Sequence, residues 1–284
     1  MKIRLRLARL IKFRSLSYSI LKFAIRFLYP LIGFMIAALE PVKPFISKLL
    51  LQTYDDFRKG FRRDLWEVVY PDYTPRGNIR FHISVNNGKL ALVAEKRAAD
   101  FAYPYNWEGP MIRAKKRGYN MVVAKMMLDF DGSTAENGNI YIRGMGRGKR
   151  FFYLLGIDKT SKEVFFHCMD IARGCGYTRR GRAHFKDYFK DVDNKWLILG
   201  LEWTIDGVKY FAFEEGEKWY GKSVFSPPPE ILEDVLKDCL DIYLYGLSEI
   251  CIRTDIVNSG PEFKSITGFL DYVKAKKAPL SWLR

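Results

Sequence analysis

The stretch "NKWLILGLEWTIDGVKYFAFEEG", Asn194 to Gly216, decides the fold. Short alternating runs flank Asp206-Gly207, the pattern of a hairpin whose strands each bury one face. The same texture extends in both directions from about Tyr54. "NIRFHISVNNGKLALVAEKR" reads as two strands around Asn87-Gly88, and "MIRAKKRGYNMVVAKMMLDFDG" as two more. "NIYIRGM", "RFFYLLGID", "EVFFHCMDIA" and "CLDIYLYGL" continue the series, and "GFLDYVKAKK" closes it. One amphipathic helix interrupts it, "PEILEDVLKDCL", with Ile231, Leu232, Val235, Leu236, Cys239 and Leu240 on one side and three acids on the other. Ten or more strands with long antiparallel connections predict a mostly β protein, a two-sheet antiparallel β-sandwich or jelly roll.

The order of these motifs carries a resemblance. "YDDFRKGFRRDLWEVVYPD…ISVNNGKLALVA" resembles the opening of the concanavalin A-like lectin/glucanase jelly roll. "GPMIRAKKRGYNMVVAKMMLDFDG" resembles its next two strands. The hairpin carrying Trp196, Trp203, Asp206, Gly207 and Tyr210 is similar to one that crosses the sandwich in family 16 glycoside hydrolases. "ITGFLDYVKAKK" is similar to the terminal strand. The resemblance spans residues 54–276 and places the jelly-roll domain at 54–284, after a separate segment over 1–53.

In family 16 hydrolases two glutamates alternate along one strand as nucleophile and general acid. Retention needs carboxyls about 5–5.5 Å apart, a spacing that same-face neighbours on a strand supply. The corresponding strand is "NIYIRG", and the resemblance implies that Asn139, Tyr141 and Arg143 face the ligand. None is a carboxylate, so retaining hydrolysis by that route is not expected. "ENGNIYIRG" also resembles a strand of 3-keto-disaccharide hydrolase-like domains, without that motif's serine. A plain sheet strand with a solvated Arg143 explains the same residues.

Some members of the fold hold a structural calcium through an aspartate on the last strand. That resemblance implies Asp271, with the Gly88 backbone as a second oxygen source. No other cofactor is expected. Of the remaining acids, Glu136 is the nearest candidate for catalysis, with Asp129 and Asp131 close by in sequence. His167 beside Cys168 could suggest a reactive pair, but adjacent strand residues point to opposite faces.

Two basic stretches, Arg143 to Arg150 and Arg173 to Lys190, read as loops at the rim. With Trp107, Arg113, Tyr141, Trp219 and Tyr220 they could bind a glycan, with aromatics stacking on sugar faces and arginines taking carboxylates or sulfates. An acidic polysaccharide suits such a rim. Anionic headgroups, an acidic protein partner or plain solvation account for the same charges.

Net charge is +15, yet residues 1–50 hold ten Lys/Arg against one Glu, so nine of those fifteen charges sit in that segment. A tail this basic argues against nucleic acid as the partner of the whole chain. "MKIRLRLARLIKFR" precedes an uncharged run from Phe27 to Leu39. Thirteen residues fall short of the roughly 20 needed to span a bilayer, and extension back to Leu16 includes Lys22 and Arg26. The expectation is an uncleaved anchor in the cytoplasmic membrane, single-pass with the N-terminus inside, or monotopic along the interface. "PVKPFISKLLLQ" then continues as an amphipathic connector. Four cysteines leave Cys168 with Cys175, and Cys239 with Cys251, as either disulfides or free thiols.

The expected function is a membrane-anchored, lectin-like domain that binds a glycan outside the cytoplasmic membrane. The alternatives are an accessory subunit of a membrane complex, and a hydrolase or lyase with an atypical site.

Overall fold

In the computed structural model Asn87 and Gly88 both adopt positive φ, 51° and 72°. They close the tight turn between β3 (Ile79–Asn86) and β4 (Lys89–Lys96) as the Asn-Gly pair predicts. The structure describes residues 51–69, 78–97, 108–180, 192–215, 223–257 and 260–283. The compact unit runs from Gln52 to Arg284. The expected anchor and connector in residues 1–50 lie outside the described residues. Among the described residues no helix is long and apolar enough to cross a membrane.

Two antiparallel sheets make the body. Sheet I runs β13 (Ser223–Val224), β12 (Gly207–Glu214), β11 (Leu197–Thr204), β6 (Tyr119–Asp129), β15 (Lys264–Lys277), β4, β3, with β1 (Gln52–Asp55) also on β15. Sheet II runs β10 (Cys175–Arg180), β9 (Glu163–Asp170), β8 (Phe151–Asp158), β7 (Asn137–Met145), β14 (Glu249–Val257), β5 (Met111–Ala114), β2 (Trp66–Val69). Inward side chains alternate as the pleat demands: Ile140 and Ile142 on β7, Leu155 and Ile157 on β8, and Leu199, Leu201 and Trp203 on β11 share one core. β5 and β6, consecutive in sequence, go to opposite sheets. The last two strands, β14 and β15, insert in the middle of sheets II and I, so each sheet is completed only by the chain's end.

The helix α1 (Pro229–Tyr245) starts on Pro229 and stops at Gly246, whose φ of 87° only glycine adopts readily. It is longer than expected: "CLDIYLY", read as a strand, is its second half. The 3.6-residue apolar period continues through Ile242, which is buried, and outweighs the β-branched and aromatic content. Leu232 is 42 % exposed rather than core. Nor are the acids all solvated, because Asp238 Oδ2 accepts a 2.9 Å hydrogen bond from the Tyr153 hydroxyl. Arg173 to Lys190 is not simply loop, since β10 pairs with β9 as the edge of sheet II. All four cysteines are free thiols; Cys168, Cys239 and Cys251 are buried and Cys175 is exposed.

Candidate functional site

Because Ile140 and Ile142 point into the core, Asn139, Tyr141 and Arg143 share the outer face of sheet II. Register brings Asp255, Arg253 and Cys251 of β14 opposite them in that order, and Asp158, Gly156 and Leu154 of β8 on the other side. Beyond β14 the same face continues through Arg113 on β5 and Glu67 on β2. Gly156 leaves room for its neighbour, since a Cβ there would lie 2.6 Å from Tyr141 Cβ.

Opposite charges alternate across this face. Arg143 pairs with Glu249, while Arg113 reaches Glu67 at 2.8 Å and Glu249 at 3.6 Å. Arg253 pairs with Asp255, which also accepts a 2.8 Å hydrogen bond from the Tyr141 hydroxyl. Burial would raise Glu249, but the Arg143 and Arg113 guanidiniums outweigh it and hold the carboxyl below its ordinary value. Burial raises Asp255 despite opposition from Arg253 and Tyr141. Burial, reinforced by Asp255, raises the Tyr141 phenol far above its ordinary value. A phenol so held is a poor proton abstractor.

Two atoms of the row are buried without a hydrogen-bond partner: the acceptor Asn139 Oδ1 and the donor Arg143 Nε, on either side of Tyr141. Buried polar atoms without partners each cost about 1–3 kcal/mol, so this acceptor and donor are two unsatisfied polar groups on one face.

The structure thus brings together Arg113, Asn139, Tyr141 and Arg143. Trp107, Trp219 and Tyr220 lie outside the described residues, as do residues 181–190 of the second basic stretch. Glu136 lies apart from the row. It is exposed on the turn before β7, in a pocket of about 460 Å3 with Asp131, Asp193, Lys159 and Lys162. The other two acids there are engaged: Asp193 bonds Lys162 at 2.5 Å and Asp131 bonds Asn194 at 2.7 Å. His167 and Cys168 point apart, as alternation requires: His167 Nδ1 is 2.7 Å from Thr178 Oγ1, and Cys168 is in the core.

The calcium expectation meets a different arrangement. On sheet I, Lys125 Nζ lies 2.8 Å from Asp271 Oδ2 and 2.6 Å from Glu215 Oε2. An ammonium already sits on the carboxylate, so the residues present do not fit a calcium ion. Among the described residues no group of three or more His, Cys, Asp or Glu side chains could hold a metal.

Sequence reasoning missed β14. Its outer face carries Glu249, Cys251, Arg253 and Asp255, and the strict alternation of "EICIRTDIV" is the signal that could have found it.

No protein-family model matches the chain, and no curated protein matches it. Solved structures do. A β-glucanase from Bacillus licheniformis is 12% identical, with a TM-score of 0.50, over 78% of this chain and 96% of that one. The catalytic domain of an endo-1,3-β-glucanase (laminarinase) from Thermotoga petrophila is 12% identical, with a TM-score of 0.52, over 80% and 98%. A pseudo β-1,3-glucanase of Mycobacterium tuberculosis, also an immunostimulatory antigen, is 10% identical, with a TM-score of 0.51, over 80% and 98%. The chain therefore has the concanavalin A-like jelly-roll fold of the β-glucanases.

Proposed function

We propose that the outer face of sheet II binds a glycan without hydrolysing it by the paired-glutamate route. The observation that carries this reading is the row Asn139, Tyr141, Arg143, with its unpartnered acceptor and donor and no carboxylate among its three members. Of the acids beside the row, Glu249 and Asp255 are paired with Arg143, Arg113 and Arg253, and Asp158 accepts hydrogen bonds from the Thr160 N–H and the Ser161 hydroxyl. A fold shared with glucanases, and with a protein called a pseudo β-1,3-glucanase, supports a saccharide as ligand and lost hydrolysis as a precedent. We further propose that residues 1–50 hold the domain at the cytoplasmic membrane, with the N-terminus inside. Ten cations beside an apolar run support this reading.

The test is a glycan array probed with the full chain, alongside assays for reducing ends and unsaturated products. Binding to one or more glycans should fall about tenfold in Asn139→Ala and in Arg143→Lys, measured at a temperature where both variants remain folded. The absence of binding to any glycan would sink the proposal. Release of products that persists in Glu136→Gln would turn the reading toward an enzyme whose site is elsewhere.

A further inference from the structure

At the Met145 end of the same face, the β5–β6, β7–β8 and α1–β14 turns border two adjoining, partly open cavities of about 250 and 570 Å3. Both are lined by Arg117, Lys149 and Ser248. Arg113 and Lys115 join them in the narrower cavity and Arg147 in the wider one. Only two lining residues are acidic, Glu67 and Glu249, and Arg113 reaches both. Among the described residues no carboxylate answers the exposed Lys115, Arg117, Arg147 or Lys149.

The cations cannot simply drift apart with their turns, because backbone bonds fix the turns together. Gly118 N–H donates to Leu247 O at 3.0 Å, Leu247 N–H to Tyr119 O at 2.7 Å, and Ser248 N–H to Met145 O at 3.0 Å. Ser248 Oγ also donates to Gly146 O at 2.8 Å. The joint is built on two glycines of positive φ: a Cβ on Gly246 would stand 2.2 Å from the Gly118 carbonyl carbon. Lys277, whose Nζ donates to Arg117 O at 2.7 Å, has its pKa lowered by burial and by Lys116, so this end of the molecule is electropositive. Clustering like charges opposes folding, and an anion would relieve that cost. Ser281 also lines the wider cavity, and the indole of its neighbour Trp282 is 73 % exposed.

We propose that this end is a subsite for an anionic saccharide, a uronate or a sulfated sugar, whose charge enters the cavities while its apolar face stacks on Trp282. The inference rests on the glycan-binding reading and specifies the ligand of that face. A recessed, partly open cavity continuous with Arg113, Glu249 and Met145 of the outer face favours a discrete sugar over a flat bilayer.

The experiment measures binding of the full chain to polygalacturonate, dextran sulfate, a neutral β-1,3-glucan and phosphatidylglycerol vesicles. Arg147→Gln/Lys149→Gln should weaken both anionic polymers about tenfold or more and leave the neutral glucan unchanged. Arg80→Gln/Arg97→Gln, an equal loss of charge outside both cavities, should leave all four probes within about twofold. Trp282→Ala should weaken the anionic polymers at high salt, where screening leaves stacking exposed. Equal losses from the two charge pairs, or no loss from the first, overturn the proposal in favour of diffuse charge. Binding to the vesicles alone, abolished by Arg147→Gln/Lys149→Gln, overturns it in favour of a headgroup site. Neutral glucan bound as tightly as the anionic polymers overturns this subsite while sparing the glycan reading. No binding to any polymer overturns both.

Discussion

The Tyr141 hydroxyl donates a 2.8 Å hydrogen bond to Asp255 Oδ2 across the β7–β14 pair. Burial raises the pKa of both groups, and Arg253 shares the load on Asp255. The phenol therefore acts as a donor that props a buried acid. Tyr141→Phe removes that donor and should cost about 1–3 kcal/mol, because Asp255 keeps its burial and loses a partner. Urea denaturation of both proteins at neutral pH checks it. Asp255→Asn/Tyr141→Phe should cost less than the sum of the two single changes, since the pair acts as one unit.

Asp238 gives the molecule a pH dependence. Burial against β8 pushes its carboxyl up to about 7, the Tyr153 hydrogen bond and Arg150 opposing and Asp241 adding to the rise. A raised acid binds a proton in the folded state that the unfolded chain has released. Its contribution is therefore fully present below the ordinary value of 3.8 and is lost as pH rises through about 7. Asp238→Asn should flatten that part of the stability profile, measured as the urea midpoint from pH 4 to pH 8. A slope unchanged by the substitution would assign the dependence to other groups.

Lys96 and Glu108 form a pair at 3.3 Å with both side chains almost wholly buried, 2% and 1% exposed. Lys96→Met takes a buried cation away from the Glu108 carboxylate and should destabilise by about 3–5 kcal/mol. Lys96→Met/Glu108→Leu should recover most of that loss, because an apolar replacement carries no desolvation penalty. Chemical denaturation of the two variants separates the outcomes: a double variant as weak as the single would mean the pair does more than neutralise itself.

The fold was legible wherever one face of a strand is buried, because period-two alternation then survives in the sequence. Leu199, Leu201 and Trp203 are one such run, and Asn87-Gly88 fixed a hairpin through two positive φ values. It was not legible where β-prone residues sit inside a helix: Ile242, Tyr243 and Leu244 follow the helical register that Ile231, Val235 and Cys239 established. Half of the site row could be read, since Asn139, Tyr141 and Arg143 are neighbours on one short strand. The other half comes from β14, more than a hundred residues away, and only sheet topology places Glu249 beside Arg143 and Asp255 beside Asn139. Pairing across that separation leaves no local trace. The same reason hid the basic cavities, whose cations come from turns at Lys115–Arg117 and Arg147–Lys149 joined through the Gly118–Gly246 contact.

Lys125 provides the last prediction. Burial would lower its pKa, but Asp271 and Glu215 outweigh that and raise it above the ordinary 10.5. A raised lysine contributes fully below its unfolded value and loses that contribution as pH climbs through the folded one, so the cluster should hold from neutral pH up to about 10. Calcium meets no vacant carboxylate there, and Tm should be unchanged by added calcium in a thermal scan. Lys125→Met should cost about 1 kcal/mol, a modest figure because Glu215 is 61% exposed and water screens part of the attraction. In that variant Asp271 and Glu215 lose their shared cation and face each other as like charges. Added calcium should then raise Tm where it did nothing before; a wild-type Tm that itself rises with calcium would show that a metal competes with the ammonium after all.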